Sequence, residues 1–436
     1  MKIKRILSLV LAAAMMAVVF VGCNESNDSS SSKSDNGASS AASGSTSSDA
    51  AANLEENAKL KLWGPAKALP LLKEQVKKFE KEHADKNVKI EVVAQEESDA
   101  GTQVLNDADA AADVFAFPSD QITKLTQAKA LLPVYGTYMD DIKKNHTEAA
   151  VDTVKGDMEG TEVLYAFPET DNGYYLVYDK SVVSDEDAKS WEGILAACKK
   201  AGRQFIMDAG NGYYSCMFAF TGGLKLDGLE GDAQDTQKFN KYDENEVAQT
   251  MSAFSELFHK YKDTFVSATV DKVAAGFSTE KRTCAAGIDG TWDYAVNEEA
   301  LGKDLGVTVL PTIKVNGEDK QTVAMIGYKY FGVKAATKYP EMAQALANYL
   351  VSADCQKERL DQLGYTPTNK AVEVKGNDAI ETMLTEAKTF VVQANIIQAF
   401  WDPMANLGNK IYKPEEKSDV ATMKKLLKDT LTNINS

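Results

Sequence analysis

The sequence predicts an α/β protein that folds into two lobes. Its 436 residues are more than one small core needs, which favours two domains. From about residue 59 onward, stretches of alternating apolar residues are interleaved with stretches whose apolar residues recur at helical spacing. No segment repeats with a period of about 20–50 residues, so the chain is not a solenoid.

The first elements predict a β-α-β unit. Apolar and charged residues alternate over 59–63, and Gly64 and Pro65 end this strand. Apolar residues then recur at helical spacing over 69–82, and alternation returns over 88–92. Because the helix crosses over between the two strands, the strands should lie parallel in one sheet.

The same patterns predict the remaining elements in order. A helix over 102–112 leads to a strand at 113–117, and a further helix begins at about Ser119. Further strands are predicted at 162–167, 174–179, 204–208, 285–288, 307–310 and 327–334. Further helices are predicted at 243–263, 339–352, 377–393, 394–412 and 418–433. Strands that alternate with helices in this way are typical of an α/β fold.

The N-terminus predicts an export signal followed by a lipid anchor. Basic residues precede an apolar run from Ile6 to Phe20, which is the layout of a secretory signal and is short for a membrane span. Cys23 follows a small residue at the end of this run and resembles the lipidated cysteine of a bacterial lipobox. Residues 1–22 are therefore predicted to be removed, and residues 23–52, rich in Ser, Ala and Asp, to form a lipid-anchored flexible tether.

Charge and composition exclude several classes of protein. The net charge of −16 becomes −19 once the three basic residues of 1–22 are removed, which argues against nucleic-acid binding. The chain has only three histidines and contains no GxxxxGK[ST], GxGxxG, HExxH or GxSxG motif. The sequence therefore predicts no metal site and no cofactor. The remaining cysteines permit up to two disulfides or four free thiols, and the sequence leaves this open: Cys198, Cys216, Cys284 and Cys355.

Short motifs occur along the chain in a characteristic order. They are Lys61-Leu62-Trp63 with Val76-Lys77-Lys78-Phe79-Glu80, Asp113-Val114-Phe115-Ala116-Phe117, Tyr165-Ala166-Phe167-Pro168 with Leu176-Val177-Tyr178-Asp179-Lys180, Gly287-Ile288-Asp289-Gly290-Thr291-Trp292, Gly306-Val307-Thr308-Val309-Leu310-Pro311-Thr312, and Asn395-Ile396-Ile397-Gln398-Ala399-Phe400-Trp401. In this order and spacing they resemble the extracellular solute-binding proteins of bacterial ABC importers, in particular the maltose/maltodextrin-binding branch. The resemblance covers essentially all of 58–436.

The resemblance implies a periplasmic-binding-protein-like fold with discontinuous lobes. The chain would cross between two α/β lobes, with the ligand in the interlobe cleft and a hinge that closes around it. Lobe 1 is expected at about 53–168 plus 317–370, and lobe 2 at about 169–316 plus 371–436.

The resemblance also assigns aromatic platforms for the apolar faces of a sugar. Trp292 and Trp401 match the two stacking tryptophans of the family, and Tyr213 matches an aromatic residue in a loop of lobe 2. Phe117 stands where the family has a tryptophan that contacts the sugar. These four side chains are expected to line the cleft.

Polar site residues follow from the same resemblance. Asp120 matches an aspartate that binds sugar hydroxyls, and Lys67 matches a lysine that binds the ligand. Asn172 and Asn211 each stand where the family has a glutamate, and Gln121 stands where it has an arginine. The stacking contacts are therefore expected to be kept while the polar contacts are changed.

The function that the resemblance implies is ligand capture without catalysis. A monomer, held through Cys23 at the extracellular face of the cytoplasmic membrane, would bind a neutral oligosaccharide and deliver it to ABC permease subunits. Maltose or a longer maltodextrin is the expected ligand. The alternatives are a binding protein for another oligosaccharide, a sensory or adhesion lipoprotein on the same scaffold, and a glycoside hydrolase that uses paired carboxylates such as Asp120 and Asp289.

Overall fold

The computed structural model describes residues 54–227, 238–386, 390–393, 396–413 and 415–434. The predicted signal at 1–22 and the predicted tether at 23–52, with its lipidated Cys23, lie outside the described residues. So does Asn395, the first residue of the last family motif.

Within the described residues, the strands lie mainly in two sheets, with three separate pairs of antiparallel strands. In chain order they are β1 (Lys59–Gly64), β2 (Lys89–Ala94), β3 (Val114–Pro118), β4 (Lys155–Met158), β5 (Thr161–Leu164), β6 (Phe167–Asn172), β7 (Tyr174–Asp179), β8 (Gln204–Met207), β9 (Lys225–Asp227), β10 (Lys238–Lys241), β11 (Phe265–Ser267), β12 (Cys284–Gly290), β13 (Leu305–Thr308), β14 (Thr312–Val315), β15 (Glu318–Gln321), β16 (Met325–Val333), β17 (Thr366–Pro367) and β18 (Val391–Val392).

The helices cover the faces of these sheets. In chain order they are α1 (Leu69–Glu82), α2 (Glu97–Asn106), α3 (Ile122–Gln127), α4 (Gly136–Asn145), α5 (Glu148–Asp152), α6 (Trp191–Ala201), α7 (Gly212–Ser215), α8 (Met217–Phe220), α9 (Glu244–Lys260), α10 (Asp271–Ser278), α11 (Tyr294–Leu301), α12 (Pro340–Leu350), α13 (Ala353–Leu363), α14 (Asp378–Glu386), α15 (Trp401–Tyr412) and α16 (Val420–Ile434).

The first lobe is built on a mixed sheet with the strand order β17-β6-β16-β3-β1-β2, and β18 pairs with β16 at its start. Strands β2 and β3 both lie parallel to β1, as the predicted β-α-β unit requires. The long strand β16 returns from the far part of the sequence and pairs antiparallel with both β3 and β6. A single hydrophobic core of this lobe includes Phe79, Phe115, Phe117 and Phe331.

The second lobe is built on a sheet with the strand order β11-β8-β12-β7-β13. Strands β8, β11 and β12 are mutually parallel, whereas β7 and β13 run antiparallel to their neighbours. The larger of its two hydrophobic clusters packs the sheet against α6, α9, α15 and α16 around the fully buried Trp191. The opposite face of the sheet packs against α10 and α11.

The chain passes between the two sheets at Gly173. This residue alone separates β6 of the first sheet from β7 of the second sheet. A Cβ atom at this position would lie 2.9 Å from the Met383 sulfur, so a larger residue would require the Met383 side chain to move. The exact lobe boundaries at 168, 316 and 370 stay a prediction.

Most elements predicted from residue 174 onward are present, with one clear exception. Strand β7 has the predicted bounds, and α9 and α12 fall within their predicted ranges. The predicted helix over 377–393 is wrong in its second half, because α14 ends at Glu386 and β18 follows at Val391. Backbone pairing of Val391 and Val392 with the start of β16 favours a strand there.

The cysteines left open by the sequence are free thiols. Cys198, Cys216, Cys284 and Cys355 are all buried and unbridged. Within the described residues, no helix combines the length and apolar character that a membrane crossing requires.

Asp171 is a buried carboxyl on β6 whose charge should reduce stability at high pH. It is 6% exposed, and its Oδ1 finds no hydrogen-bond partner among the described residues. Burial removes water from the charged form and raises the pKa of Asp171 to about 7. Because the pKa of Asp171 in the folded protein lies above the usual value of 3.8, the folded protein binds more protons than the unfolded chain between the two pKa values. The free energy of unfolding therefore falls as the pH rises from about 4 to about 7.

We therefore expect Asp171→Asn to gain stability over the wild type as pH rises. The difference in free energy of unfolding should grow by roughly 2–3 kcal/mol between pH 5 and pH 8, measured by urea denaturation. Asp141→Asn, at an exposed position of α4, controls for the loss of one negative charge. An equal difference between wild type and Asp171→Asn at both pH values would contradict the prediction.

Candidate functional site

The candidate site is a cavity of about 450 Å³ between the two lobes. It lies beyond the ends of β3, β6, β8 and β12, which is where open α/β sheets place their ligands. Six residues predicted from the sequence line it: Asp120, Asn172, Asn211, Tyr213, Trp292 and Trp401. Further lining residues are Glu97, Ser98, Pro118, Gln121, Tyr214, Lys329, Gln393 and Gln398.

Two larger cavities, of about 590 and 800 Å³, lie elsewhere on the surface. Each has a lining rich in charged residues and contains one aromatic residue, Tyr294 in the first and Tyr339 in the second. The interlobe cavity has four aromatic lining residues. Since aromatic surface with a few polar groups is typical of small-molecule sites, the interlobe cavity is the better candidate.

Trp292 follows β12 on a short 3-10 helix at Thr291–Asp293. A Cβ atom at Gly290 would lie 2.2 Å from the Trp292 ring, so glycine is required for the ring to fold back over the strand end. The half-buried ring packs against the core of lobe 2 on one side and reaches the cavity on the other. It is therefore a fixed apolar surface inside the cleft.

Trp401 is the first residue of α15, and its half-buried ring contacts Phe400 edge to face at 5.1 Å. Its indole Nε1 donates a hydrogen bond to Asp120 Oδ2 at 3.1 Å. A Cβ atom at Gly212 would lie 2.5 Å from the Trp401 carbonyl oxygen, so α7 packs directly against the start of α15. Because Trp401 belongs to lobe 2 and Asp120 follows β3 of lobe 1, this hydrogen bond joins the lobes.

Tyr213 lies on α7 and completes the aromatic wall. Its ring centroid is 5.1 Å from that of Tyr174 and 6.4 Å from that of Trp292. Its hydroxyl donates to the Asn172 carbonyl oxygen at 3.4 Å. Asn211 caps α7, since its Oδ1 accepts a hydrogen bond from the Tyr213 amide at 3.0 Å.

Three polar side chains of the cleft carry an acceptor atom that no described residue pairs with. Asp120 Oδ1, Asn172 Oδ1 and Glu97 Oε1 are buried atoms that find no hydrogen-bond partner among the described residues. Burial raises the pKa of Asp120, and the Trp401 hydrogen bond opposes this rise. Buried acceptors are costly when unpaired, so this set is complementary to a ligand that carries several donors.

Two predicted site residues do not line the cavity. Phe117 is 0% exposed and packs against Phe115 and Tyr330 in the core of lobe 1, which corrects its prediction as a platform. The adjacent Pro118 lies at the cavity instead. Lys67 is exposed and donates to the Trp292 carbonyl oxygen at 2.7 Å, so in this structure it links the lobes beside the cleft.

Sequence reasoning missed Glu97 and Lys329, which form an ion pair in the wall of the cleft. The sequence predicts a helix that begins near 102, whereas α2 begins at Glu97, so the apolar spacing does not place Glu97 on the helix. The sequence alone could have identified Lys329, because it is a charged residue in the middle of the otherwise apolar strand β16. Strand interiors rarely hold a lysine unless it has a partner.

The carboxylate pair of the hydrolase alternative does not come together in the cleft. Asp289 is fully buried on β12, where its oxygens accept hydrogen bonds from the Asn297 side chain at 2.6 Å and the Gly290 amide at 2.7 Å. It does not line the cavity that contains Asp120.

The fold and the cleft together define a two-lobed protein whose interlobe cavity has the size and lining of a small-molecule site. The chain belongs to the family described as bacterial extracellular solute-binding protein, whose model matches residues 74–382. The matched segment includes most of both sheets and the aromatic residues Tyr213 and Trp292 of the cleft.

Individual relatives support the same assignment. The chain is 28% identical over 387 residues to a galactooligosaccharide-binding protein of Bacillus subtilis (strain 168), covering 85% of each chain. A solved structure whose description reads "with acarbose" is 28% identical to this chain with a TM-score of 0.75, and the match covers 86% of this chain and 98% of the other. Maltodextrin binding protein MalE1 from L. casei BL23, at 24% identity, shares the fold with a TM-score of 0.72 over 88% of this chain and 100% of its own.

Proposed function

We propose that this protein is the substrate-binding component of an ABC importer and captures a neutral oligosaccharide. The observation that carries the proposal is the meeting of aromatic surfaces and unpartnered acceptors in one cleft. A sugar has apolar C–H faces that stack on aromatic rings and hydroxyl groups that donate hydrogen bonds. Trp292, Trp401 and Tyr213 supply the rings, and Asp120, Asn172 and Glu97 supply the acceptors.

The charges of the cleft support a neutral ligand. Glu97 and Lys329 neutralise each other through their ion pair. Asp120 is half-buried, hydrogen-bonded to Trp401, and carries a raised pKa. Among the described residues, the cleft therefore lacks the cluster of free cations that an anionic ligand requires, and its remaining acceptors suit hydroxyl donors.

The hydrogen bonds between the lobes support capture by hinge closure. Trp401 reaches Asp120, and Lys67 reaches the Trp292 carbonyl oxygen, both from one lobe to the other. Trp292 and Trp401 are themselves lining residues, so closure and ligand contact involve the same side chains. We also propose that the protein delivers the bound sugar to a permease and that a lipid on Cys23 anchors it at the outer face of the cytoplasmic membrane.

The ligand that we propose is an α-glucan of the maltodextrin series, with chains longer than maltose preferred. A galactooligosaccharide is the second candidate, because the Bacillus subtilis relative with that name aligns over 85% of both chains. Both ligands are neutral and both present stacking faces and hydroxyls. The two candidates differ in the orientation of hydroxyl groups, which the aromatic surfaces alone do not select.

Isothermal titration of the purified protein tests the proposal. We expect one-to-one binding to maltotriose and maltotetraose with a Kd at or below about 10 μM, weaker binding of maltose, and a change in tryptophan emission. Galactobiose and galactotriose test the second candidate, and spermidine and citrate serve as charged controls. Absence of binding to both sugar series would contradict the proposed function. Cleavage of maltotetraose during incubation, followed by chromatography, would indicate an enzyme instead.

A further inference from the structure

The wall that lobe 1 contributes to the cleft contains a nearly buried ion pair. Glu97 is the first residue of α2, and Lys329 lies in the middle of β16. Glu97 Oε2 pairs with Lys329 Nζ, and their side chains are only 9% and 21% exposed. The Lys329 ammonium also lies 5.6 Å from the centre of the Tyr365 ring. Both members of the pair line the cavity.

Each member of the pair retains unused hydrogen-bonding capacity. Glu97 Oε1 has no hydrogen-bond partner among the described residues, although it is buried. The Lys329 ammonium has three N–H donors, and the ion pair uses one of them. The positive charge of the ammonium also lies close to the Tyr365 ring, which attracts it. Two neighbouring residues of the cavity lining therefore keep an acceptor and donors that no described residue uses.

The surrounding fold holds Glu97 in place. The Gln121 side chain, 2% exposed, accepts a hydrogen bond from the Gly101 amide at 2.9 Å and donates to the Ser98 carbonyl oxygen at 2.6 Å. These bonds fasten the first turn of α2 to the segment that follows β3. Gln121 thus fixes the backbone that carries Glu97. Gln121 is the residue that stands where the family resemblance gives an arginine.

A second ion pair supports Lys329 from behind. Arg359 Nε lies 3.2 Å from Glu169 Oε1, and both residues are almost completely buried. The Glu169 charge acts favourably on the Lys329 ammonium. Charges of alternating sign thus extend from the interior of lobe 1 to the cleft, and the Glu97–Lys329 pair itself adds no net charge to the surface of the cavity.

Burial of an ion pair seldom adds stability beyond that of an apolar pair of the same size, because both charges lose water. Its position at the cleft, with one free acceptor and one free donor, therefore points to the ligand. We propose that Glu97 and Lys329 form a subsite that recognises two adjacent hydroxyl groups of the bound sugar. Glu97 Oε1 accepts a hydrogen bond from one hydroxyl, and Lys329 Nζ donates to the oxygen of its neighbour.

The subsite selects between sugar epimers. Two adjacent hydroxyls meet a fixed acceptor and donor only in one relative orientation, and inversion of one carbon moves one oxygen out of reach. Glu97 and Lys329 therefore decide between glucose- and galactose-configured chains, whereas the aromatic residues bind both. This inference rests on the proposed binding of oligosaccharides and specifies how that binding discriminates.

The test compares Lys329→Met and Glu97→Gln with the wild type by isothermal titration against maltotriose and galactotriose. The wild type should prefer one trisaccharide by at least about tenfold, and each variant should lose at least about tenfold in affinity for it. The affinity for the other trisaccharide should change by less than about threefold, so the preference collapses. Lys143→Met removes the ion pair to Glu162 elsewhere in lobe 1, and it serves as a matched control that retains the preference.

The double variant Glu97→Gln/Lys329→Met leaves no unpaired buried charge and covers the case in which a single variant fails to fold. Monodeoxy analogues of the preferred sugar, titrated into wild type, supply a second measurement. One deoxy position should cost the wild type about tenfold but should cost Lys329→Met almost nothing. Equal losses for both trisaccharides, or a retained preference, would overturn the subsite while leaving oligosaccharide binding intact. A wild type that binds no sugar would overturn both proposals.

Discussion

Replacing Trp401 by alanine should weaken oligosaccharide binding by about 30- to 100-fold, equivalent to roughly 2–3 kcal/mol. The substitution removes an aromatic surface of the cleft and, with it, the hydrogen bond from Nε1 to Asp120. Asp120 would then lose the partner of Oδ2, while its Oδ1 already has no hydrogen-bond partner in the part of the chain that the structure describes. Both the stacking surface and a link between the lobes are lost together, so the effect should exceed that of either alone.

Trp401→Phe separates the two contributions. Phenylalanine keeps an aromatic face but has no indole N–H, so we expect only about a fivefold loss of affinity. Isothermal titration with the sugar that binds wild type best provides the measurement, and thermal unfolding confirms that each variant folds. A Trp401→Ala variant that binds within about threefold of wild type would contradict the assignment of Trp401 to the site.

Replacing Asp179 by alanine should lower the free energy of unfolding by roughly 2–4 kcal/mol at pH 7 without a large effect on ligand affinity. Asp179 ends β7, is 0% exposed, and receives hydrogen bonds from Arg203 at 2.9 Å and Arg282 at 3.1 Å. Its Oδ1 also accepts hydrogen bonds from the backbone amide and the hydroxyl of Ser181. Removal of this carboxylate leaves two guanidinium groups without their shared partner. The site lies at the end of lobe 2 that is remote from the cleft residues Tyr213 and Trp292.

The effect of this substitution should depend on pH. Burial alone would raise the pKa of Asp179, but the Ser181 and Arg282 contacts outweigh it and lower the pKa below the usual value of 3.8. Stability from this carboxylate is therefore present above about pH 4 and is lost as pH falls through the folded pKa. Urea denaturation at pH 7 and pH 3 should show a smaller gap at pH 3.

Asp304→Asn is the matched control for Asp179. Asp304 shares Arg282 with Asp179, at 3.1 Å, but its side chain is 26% exposed. Water can replace the lost contact there, so a change of less than about 1 kcal/mol is expected. Equal destabilisation by the two substitutions would show that burial of Asp179 is not the cause.

The fold was largely predictable because the apolar patterns are regular. Strand β7 and helix α9 appear where alternation and helical spacing predicted them. The error at 377–393 has a different origin, since Val391 and Val392 pair with β16, more than 60 positions earlier in the chain. Local spacing carries no information about such a partner.

The candidate site was only partly predictable, for reasons visible in single residues. Phe117 lies on a strand whose residues are buried on both faces, so alternation does not reveal which side chain faces the cleft. Lys67 and Trp292 are 225 positions apart, and their contact exists only because the lobes meet. Glu97 and Lys329 likewise come together only in the folded sheet.

The four buried cysteines have a chemical consequence for an exported protein. Each thiol lies inside a lobe, and burial raises the pKa of Cys198 and Cys216 to about 12, so the reactive thiolate is almost absent at neutral pH. Native thiols of the two lobes should therefore resist oxidation and alkylation, and folding of these lobes requires no oxidant. Cysteines introduced on opposite rims of the cleft would then be the reactive ones, and labels placed there would report the distance between the lobes.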